Sequence, residues 1–311
     1  MADGDLPAEK FSHPHLTAKG ETRAWVPLRQ LETLWLNTGT LCNIACENCY
    51  ILSSPQNDDL VYLSRDEARP YLDEAREMGA REIGITGGEP FMNPDIMGIL
   101  EDALDRGFDV LVLTNAMKPM MRPRITEGLM ALSDDHKARL TLRVSMDHHD
   151  RAHHDVERGE GSYAAALMGI EWLARNGFSL AIAGRSIWGE DEATARHGYG
   201  EMLETIGVSL DVMDPKRLVI FAEMREEDDP PEITTGCWDI LGKRPDEIMC
   251  SSSRMVVKRK GAAHPVVLSC TLIAYDERFE MGRTLKEASR SISLNHKWCA
   301  TFCVLGGSSC S

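Results

Sequence analysis

The sequence lacks any apolar run long enough to form a membrane-spanning helix. Such a helix needs about 18 uninterrupted apolar residues, and no stretch of the 311-residue chain approaches that length. The polar N-terminal segment also lacks the apolar region of a secretory signal. We therefore predict a protein of the cytoplasm that has no membrane partner.

Basic residues are also in short supply. The chain has 34 Lys and Arg against 49 Asp and Glu, for a formal net charge of −15. Because nucleic acid binding needs a basic surface, this balance argues against nucleic acid as the main partner. This net charge does not exclude a local basic pocket that binds a small anion. With 43% hydrophobic residues, the chain can bury the core of one large α/β domain and a smaller module.

Cysteine is absent from the whole middle of the chain. Three of the nine cysteines lie at positions 42–49, and the other six follow position 236. A reducing cytosol keeps thiols free, so these cysteines are not expected to form disulfides. Two separate groups of cysteines predict two metal centres.

The first group, Cys42, Cys46 and Cys49, has the spacing Cys-x3-Cys-x2-Cys and follows the apolar run Leu34–Leu36. Three thiolates on one loop can hold three irons of a four-iron cluster and leave the fourth iron open to a ligand that is not protein. Zinc is the alternative, but structural zinc needs a fourth ligand. No histidine or further cysteine lies near in sequence, which favours iron–sulfur.

From residue 31 onward, short β-rich runs alternate with helical patterns. The predicted strands are Leu34–Leu36, Glu82–Thr86, Val110–Thr114, Leu140–Ser145, Leu180–Ala183 and Leu218–Ala222. Alternation of this kind indicates βαβ units and a parallel sheet, here an α/β partial (β/α)6 barrel resembling a TIM barrel. We predict an N-terminal arm over residues 1–30, the barrel over 31–225, and a small cysteine-rich hairpin-plus-helix module over 226–311.

Polar segments follow three of these strands: Thr86-Gly87-Gly88-Glu89-Pro90, Thr114-Asn115 and Ser145-Met146-Asp147. In register with the cysteine loop, they resemble the radical S-adenosylmethionine (SAM) enzymes over roughly residues 31–225. Adjacent glycines let the backbone approach a ligand closely. The resemblance implies that Gly87, Gly88 and Glu89 bind the amino group of SAM, that Ser145 and Asp147 reach its ribose and nearby polar atoms, and that Arg185 lies near its carboxylate. Pro90 and Asn115 are further candidate residues of the SAM site.

The cysteine loop departs from the family pattern in one respect. The family usually has an aromatic residue just before the third cysteine, where it lies against the adenine. Here Asn48 occupies that place, and Tyr50 on the other side of Cys49 is the remaining aromatic candidate for the SAM site.

The C-terminal cysteines resemble the auxiliary-cluster modules called SPASM and twitch domains. The candidate ligands are Cys250, Cys270, Cys299, Cys303 and Cys310. Five cysteines suffice for one four-iron cluster with one to spare, so the resemblance implies a single auxiliary [4Fe-4S] cluster held by four of them. A zinc-stapled module is the alternative, since zinc also accepts four thiolates. Cys237 is expected to be a buried structural thiol.

A histidine-rich segment, residues 147–155, holds four histidines and three aspartates. These side chains could bind a transition metal. The favoured alternative is a polar loop that leads into a helix at the rim of the barrel.

The resemblance implies an enzyme with two [4Fe-4S] clusters and SAM, reduced by a partner such as flavodoxin or ferredoxin. Cleavage of SAM would yield a 5′-deoxyadenosyl radical that takes hydrogen from a substrate. Only about 30 residues precede the first strand, fewer than a leader-peptide-binding domain needs. We therefore expect an oxidoreductase of a small molecule rather than a maturase that crosslinks a ribosomal peptide. A non-enzymatic electron carrier or sensor is the third alternative, though a carrier does not need the strand-end residues.

Overall fold

The computed structural model describes residue 7, residues 9–225 and residues 227–307. Its strands are β1 (Trp25–Val26), β2 (Thr33–Asn37), β3 (Glu82–Thr86), β4 (Asp109–Thr114), β5 (Leu140–Ser145), β6 (Ser179–Arg185), β7 (Leu218–Phe221), β8 (Ser253–Val257), β9 (Val266–Leu268), β10 (Glu280–Gly282) and β11 (Ile292–Ser293). Its α-helices are α1 (Arg65–Glu77), α2 (Ile96–Asp105), α3 (Pro123–Ala131), α4 (Asp134–Ala138), α5 (Arg151–Arg158), α6 (Ser162–Arg175), α7 (Glu192–Thr205) and α8 (Cys237–Leu241).

Six parallel strands, β2 to β7, lie side by side in sequence order. Because parallel strands need crossover connections, the helices α1 to α7 fall between them in the chain. The first of these helices begins at a capping box, in which Ser64 and Glu67 bond each other's backbone N–H groups. The predicted α/β class with a parallel partial barrel is confirmed.

Two hydrophobic clusters fill the two faces of this sheet. The larger one lies between the strands and the helices, and a smaller one on the inner face includes Trp35, Leu111 and Met255. The Trp35 ring lies against Gly84, where an added Cβ would be 2.4 Å from it. Gly84 therefore makes room on β3 for a large aromatic side chain inside the barrel.

The C-terminal hairpin extends this same sheet. Strand β8 pairs in parallel with β2, with Thr33 opposite Ser253, and β9 and β10 continue the sheet in antiparallel fashion. The cysteine-rich region is thus joined to the first barrel strand by backbone hydrogen bonds. A domain boundary near residue 226 stays a prediction.

The predicted N-terminal arm is anchored to the C-terminal region. Strand β1 pairs with β11, with Trp25 opposite Ser293. The Arg23 side chain is fully buried and forms an ion pair of 2.5 Å with Glu232. Within the described part of the chain, no helix has the length and apolar character needed to cross a membrane.

Candidate functional site

A cavity of about 180 Å³ opens at the carboxyl ends of the parallel strands. Its wall contains most of the residues that the sequence analysis singled out: Cys42, Cys46, Cys49, Tyr50, Gly87, Gly88, Asn115, Ser145, Asp147 and Arg185. Active sites of barrel enzymes occupy this end of the strands. The structure therefore brings together residues that are up to 143 positions apart in the chain (Cys42 to Arg185).

Two of the three cysteines of this cavity accept a hydrogen bond at their sulfur atoms. The Asn115 side chain donates to Sγ of Cys42 at 3.9 Å, and the Ser53 N–H donates to Sγ of Cys49 at 3.3 Å. Burial raises the pKa of Cys42 to about 12 and that of Cys46 to about 11. At neutral pH these thiols are protonated, so a metal that binds them must displace their protons.

The spread of the cysteine sulfurs bears on which metal they fit. Four thiolates around one zinc ion, each at about 2.3 Å, lie about 3.8 Å from one another. Among residues 9–225 and 227–307, no three cysteine sulfurs lie within 4.8 Å of one another. The thiols of both cysteine groups are therefore more widely spaced than a single zinc ion requires.

Two glycines allow the cysteine loop to pack on the end of β3. A Cβ at Gly88 would lie 2.3 Å from the carbonyl oxygen of Leu41, and one at Gly87 would lie 2.6 Å from that of Gly39. Gly87 also has a φ of +150°, which side-chain-bearing residues rarely adopt. The close packing holds the backbone that leads into Cys42 against the cavity wall.

Glu89 and Pro90 do not line the cavity. The Glu89 carboxylate is 1% exposed and accepts hydrogen bonds from the Phe91 N–H, the Asn115 N–H and the Thr114 hydroxyl at 2.8–3.1 Å. Burial raises its pKa to about 7, although these donors act in the opposite direction. Glu89 thus ties the end of β3 to the end of β4, and Pro90 begins a buried 3-10 turn.

Asp147 is neutralised by a cation within the chain. Arg158 donates to both oxygens of Asp147, at 2.7 and 2.9 Å, and both side chains line the cavity. Burial raises the pKa of Asp147, but Arg158 outweighs it and holds this pKa below its ordinary value. Arg158 also acts electrostatically on Cys46 and Cys49. It is therefore a fixed positive charge beside the thiols.

Arg185 and Asn48 meet at Glu157, a residue that the sequence analysis missed. Glu157 accepts from Arg185 at 2.8 Å and from the Asn48 side chain at 2.8 Å, and it is 3% exposed. Asn48, in place of the usual aromatic residue, thus fixes the cysteine loop to α5. Glu157 lies on a helix, and its sequence neighbours show no pattern that would have singled it out.

A second, smaller cavity of about 20 Å³ lies in the C-terminal region. Its wall contains the four described candidate ligands, Cys250, Cys270, Cys299 and Cys303, while Cys310 lies outside the described residues. Cys237 is half-buried, does not line this cavity, and accepts a hydrogen bond from the Thr234 N–H. Leu272 lines both cavities and is therefore part of the wall between them.

The histidine-rich segment forms a hydrogen-bonded cluster around Glu190. Nδ1 of His148 accepts the Asp150 N–H at 2.8 Å, so the proton of this ring lies on Nε2, which donates to Glu190 at 2.7 Å. His149 lies 3.1 Å from the other oxygen of Glu190. The groups are close enough together to hold a metal ion. However, a metal on Nε2 of His148 would have to displace that proton. His148 and His149 thus have hydrogen-bond partners, whereas neither ring nitrogen of the buried His154 has one within the described residues. Metal binding by this segment stays a prediction.

The family comparison matches the segment of the chain that forms much of the first cavity. Residues 36–188 match the family model described as Radical SAM superfamily. That segment runs from the end of β2 to just beyond β6 and includes all three cysteines of the first group. It ends before the C-terminal cysteines, so the match concerns the first cavity only.

Two curated relatives share part of this chain. It is 32% identical over 145 residues to the AdoMet-dependent heme synthase of Methanosarcina barkeri, a match over 45% of this chain and 38% of that protein. It is 30% identical over 168 residues to the mycofactocin maturase MftC of Mycobacterium tuberculosis, over 52% and 41%. The chain thus spans about two fifths of the length of these relatives.

A solved structure resembles the chain over more of its length. SuiB of Streptococcus suis, bound to the precursor peptide SuiA, superposes with a TM-score of 0.58 at 12% identity. The superposition covers 82% of this chain and 63% of that one. At this identity the likeness concerns the fold.

Proposed function

We propose that this protein is a radical SAM enzyme that modifies a peptide with the help of one auxiliary cluster, because residues 36–188 match the family model described as Radical SAM superfamily. The cluster of the first cavity, when bound, supplies the electron that cleaves SAM, and SAM supplies the deoxyadenosyl group that takes hydrogen from the substrate. The residues of the chain bind, orient and enclose these groups.

The donor set of the first cavity fits a four-iron cluster with one open iron. It offers three thiols, spaced too widely for one zinc ion, and Arg158 and Asn115 stabilise negative charge on their sulfurs. Backbone of Gly87 and Gly88 lines the adjoining wall. We infer that Ser145 and the Asp147–Arg158 pair bind polar atoms of SAM, and that Glu89 positions Asn115 rather than contacting SAM.

The observation that carries the auxiliary cluster is the convergence of Cys250, Cys270, Cys299 and Cys303 on one enclosed cavity. Four thiols complete the coordination of a four-iron cluster without help from another ligand. Only Leu272 is shared between this cavity and the first one among the residues lining the two. A cluster in the second cavity would therefore lie within electron-transfer reach of a substrate in the first.

The remaining wall of the first cavity suits an organic substrate. Leu113, Phe221, Leu272 and Phe302 exclude water from it. The Trp35 indole N–H is fully buried, lines the cavity, and has no hydrogen-bond partner within the described residues. An unpaired buried N–H costs about 1–3 kcal/mol, so a substrate carbonyl in reach of it would gain a specific contact.

A peptide is the better supported class of substrate. The relatives include a maturase, and the neighbour SuiB binds a precursor peptide in a similar fold. The expectation of small-molecule oxidation is less well supported, although the similarity to a heme synthase keeps it as the second candidate. Co-expression with the short peptides encoded beside its gene, followed by mass spectrometry, distinguishes the two. A peptide that loses hydrogen only in the presence of the enzyme supports the proposal, and oxidation of a small molecule alone refutes it.

The test of the radical SAM activity is reductive cleavage of SAM. The anaerobically reconstituted protein should hold about eight irons and should form 5′-deoxyadenosine with a reductant and SAM. The variant C42A/C46A/C49A should form none. The matched control is C237A, which removes a thiol outside both cavities and should leave cleavage intact. Undiminished cleavage by the triple variant would refute the assignment.

A further inference from the structure

Arg254 is a buried cation that contacts the backbone of Cys250, a residue in the wall of the second cavity. It lies on β8 and is 1% exposed. Its guanidinium donates to four backbone carbonyls, those of Cys250 and Ser253 at 2.6 Å, Ala288 at 2.8 Å and Arg290 at 3.3 Å. These bonds satisfy its donors, but carbonyl groups leave its charge uncompensated.

Arg254 differs in this respect from two other arginines that are buried or nearly so. Arg23 pairs with Glu232, and Arg158 pairs with Asp147. Among the residues that the structure describes, no carboxylate forms an ion pair with Arg254. An isolated charge is costly to bury unless an opposite charge is near. The fold therefore retains a positive charge here that its own side chains do not neutralise.

The groups that can compensate the positive charge of Arg254 are the thiols of two cysteines. Burial lowers the pKa of Arg254 to about 10, and the charges of Cys250 and Cys270 act in the opposite direction. The same electrostatic interaction lowers the pKa of Cys250 against the larger effect of burial. Thiolates at these two positions would thus be stabilised by Arg254 and would in turn compensate its charge.

A hydroxyl group in the wall of this cavity lacks a hydrogen-bond partner. The Ser269 hydroxyl is buried, belongs to the wall of the cavity, and has no hydrogen-bond partner within the described ranges. Its neighbour in sequence is Cys270. Hydrogen bonds to cluster or ligand sulfur, like nearby positive charge, favour the reduced state of an iron–sulfur cluster because that state carries more negative charge.

We propose that Arg254, assisted by the Ser269 hydroxyl, raises the reduction potential of the auxiliary cluster and so makes that cluster an electron acceptor. The inference rests on the proposed auxiliary cluster. It assigns Arg254 a positioning role through charge, without contact to substrate. A cluster with a raised potential is suited to take one electron from a substrate after hydrogen abstraction rather than to donate one.

The test is a redox titration followed by electron paramagnetic resonance. It uses the full chain in the C42A/C46A/C49A background, so that only the auxiliary cluster contributes to the signal. R254M should lower the midpoint potential, S269A should lower it less, and R254K should stay close to the background because it keeps the positive charge. The matched control is R175Q, since Arg175 is exposed, is already paired with Glu171 and lines neither cavity. Its potential should not change.

Each possible outcome either supports or overturns the inference. An unchanged potential in folded R254M overturns the inference. Equal shifts in R254M and R254K also overturn it, because lost carbonyl contacts would then be the cause. If folded R254M loses its iron, or if circular dichroism shows that R254M is unfolded, S269A decides: a lowered potential supports the inference and an unchanged one overturns it. If the C42A/C46A/C49A protein binds no iron, the proposed auxiliary cluster is refuted. The inference that rests on this cluster then fails as well.

Discussion

The cavity at the strand ends and the cavity in the C-terminal region both collect cysteines, but their walls are built from different chemistry. The first has three cysteines, a volume of about 180 Å³ and the paired charges Asp147 and Arg158. The second has four described cysteines, about 20 Å³ and a wall of mainly apolar side chains. The first wall holds an ion pair, whereas Arg254, which bonds the carbonyl of Cys250 in the second wall, has no ion pair within the described part of the chain.

This difference teaches how one chain can use similar ligands for two purposes. Three thiols in a roomy cavity that also holds charged side chains leave both a coordination site and space for a ligand. Four thiols in a tight cavity leave neither. The first wall therefore suits chemistry on a bound molecule, and the second suits an enclosed centre whose properties are set by surrounding charge.

The largest effect is expected when one site is removed and the other kept. C270A should lower the iron content by about half and abolish modification of the substrate, because the auxiliary cluster loses a ligand. Cleavage of SAM should fall by no more than about threefold. Iron analysis and parallel assays of 5′-deoxyadenosine and product check this, with C237A as the control. Equal loss of both activities would make the C-terminal cavity merely structural.

The ion pair of the first cavity should matter strongly for stability. R158M leaves Asp147 buried without a counter-charge, which typically costs about 3–5 kcal/mol in the free energy of unfolding. Urea unfolding of the apoprotein measures this. The double variant D147N/R158M should recover part of the loss. As a surface control, R175M breaks the exposed pair with Glu171 and should cost no more than about 1 kcal/mol. Similar values for R158M and R175M would contradict the prediction.

Acid should destabilise the first region through His154. Its ring is fully buried, and burial lowers its pKa to about 4, with Arg158 acting in the same direction. The folded-state pKa lies below the ordinary value of 6.5. The neutral ring therefore stabilises the fold above pH 6.5, and this contribution is lost as the pH falls towards 4.

The loss amounts to about 3 kcal/mol over that interval. Urea unfolding at pH 7 and pH 4.5 should show it in wild type and in H197Q, a control at an exposed histidine, but not in H154F. A pH response in H154F equal to that of wild type would show that other groups cause it. The described wall of the second cavity holds no histidine or carboxylate, so this sensitivity belongs to the first region.

The smallest effect is expected from G88A. Its Cβ would meet the carbonyl of Leu41, which cannot move without shifting the cysteine loop. We expect a loss of about 1–3 kcal/mol in the free energy of unfolding and weaker iron binding at the first site alone. G200A is the control, since its Cβ has space in α7, with the nearest atom 3.6 Å away. Equal stability of the two variants would contradict a steric role for Gly88.

The sequence predicted the barrel strands well because apolar runs and strand-end motifs are local patterns. Strand β3 and strand β5 have the predicted bounds, Glu82–Thr86 and Leu140–Ser145. The pairing of β8 with β2 was not predictable, because the residues of a strand do not indicate which other strand it pairs with. The same holds for charged side chains. Arg185 and Glu157 find each other only through packing of α5 against the end of β6.

The site was predictable to a similar degree. Residue types at strand ends indicated the members of the first cavity, but not which side chains point into it. Glu89 occupies the predicted segment, and its carboxylate instead joins two strands. In the C-terminal region the resemblance limited the ligands to four of five cysteines. The structure brings four of them to one cavity, and the choice of ligands stays a prediction because Cys310 lies outside the described residues.

The parallel pairing of β2 with β8 also has a consequence for biosynthesis. Residue 33 leaves the ribosome 220 residues before its partner, residue 253. At the usual rates of translation that interval lasts roughly 10–45 s. During it, one side of β2 is an open strand edge, which is a template for mispairing with other chains. The nascent strand that precedes the first cysteine loop therefore keeps one edge unpaired until β8 has been synthesised and pairs with it.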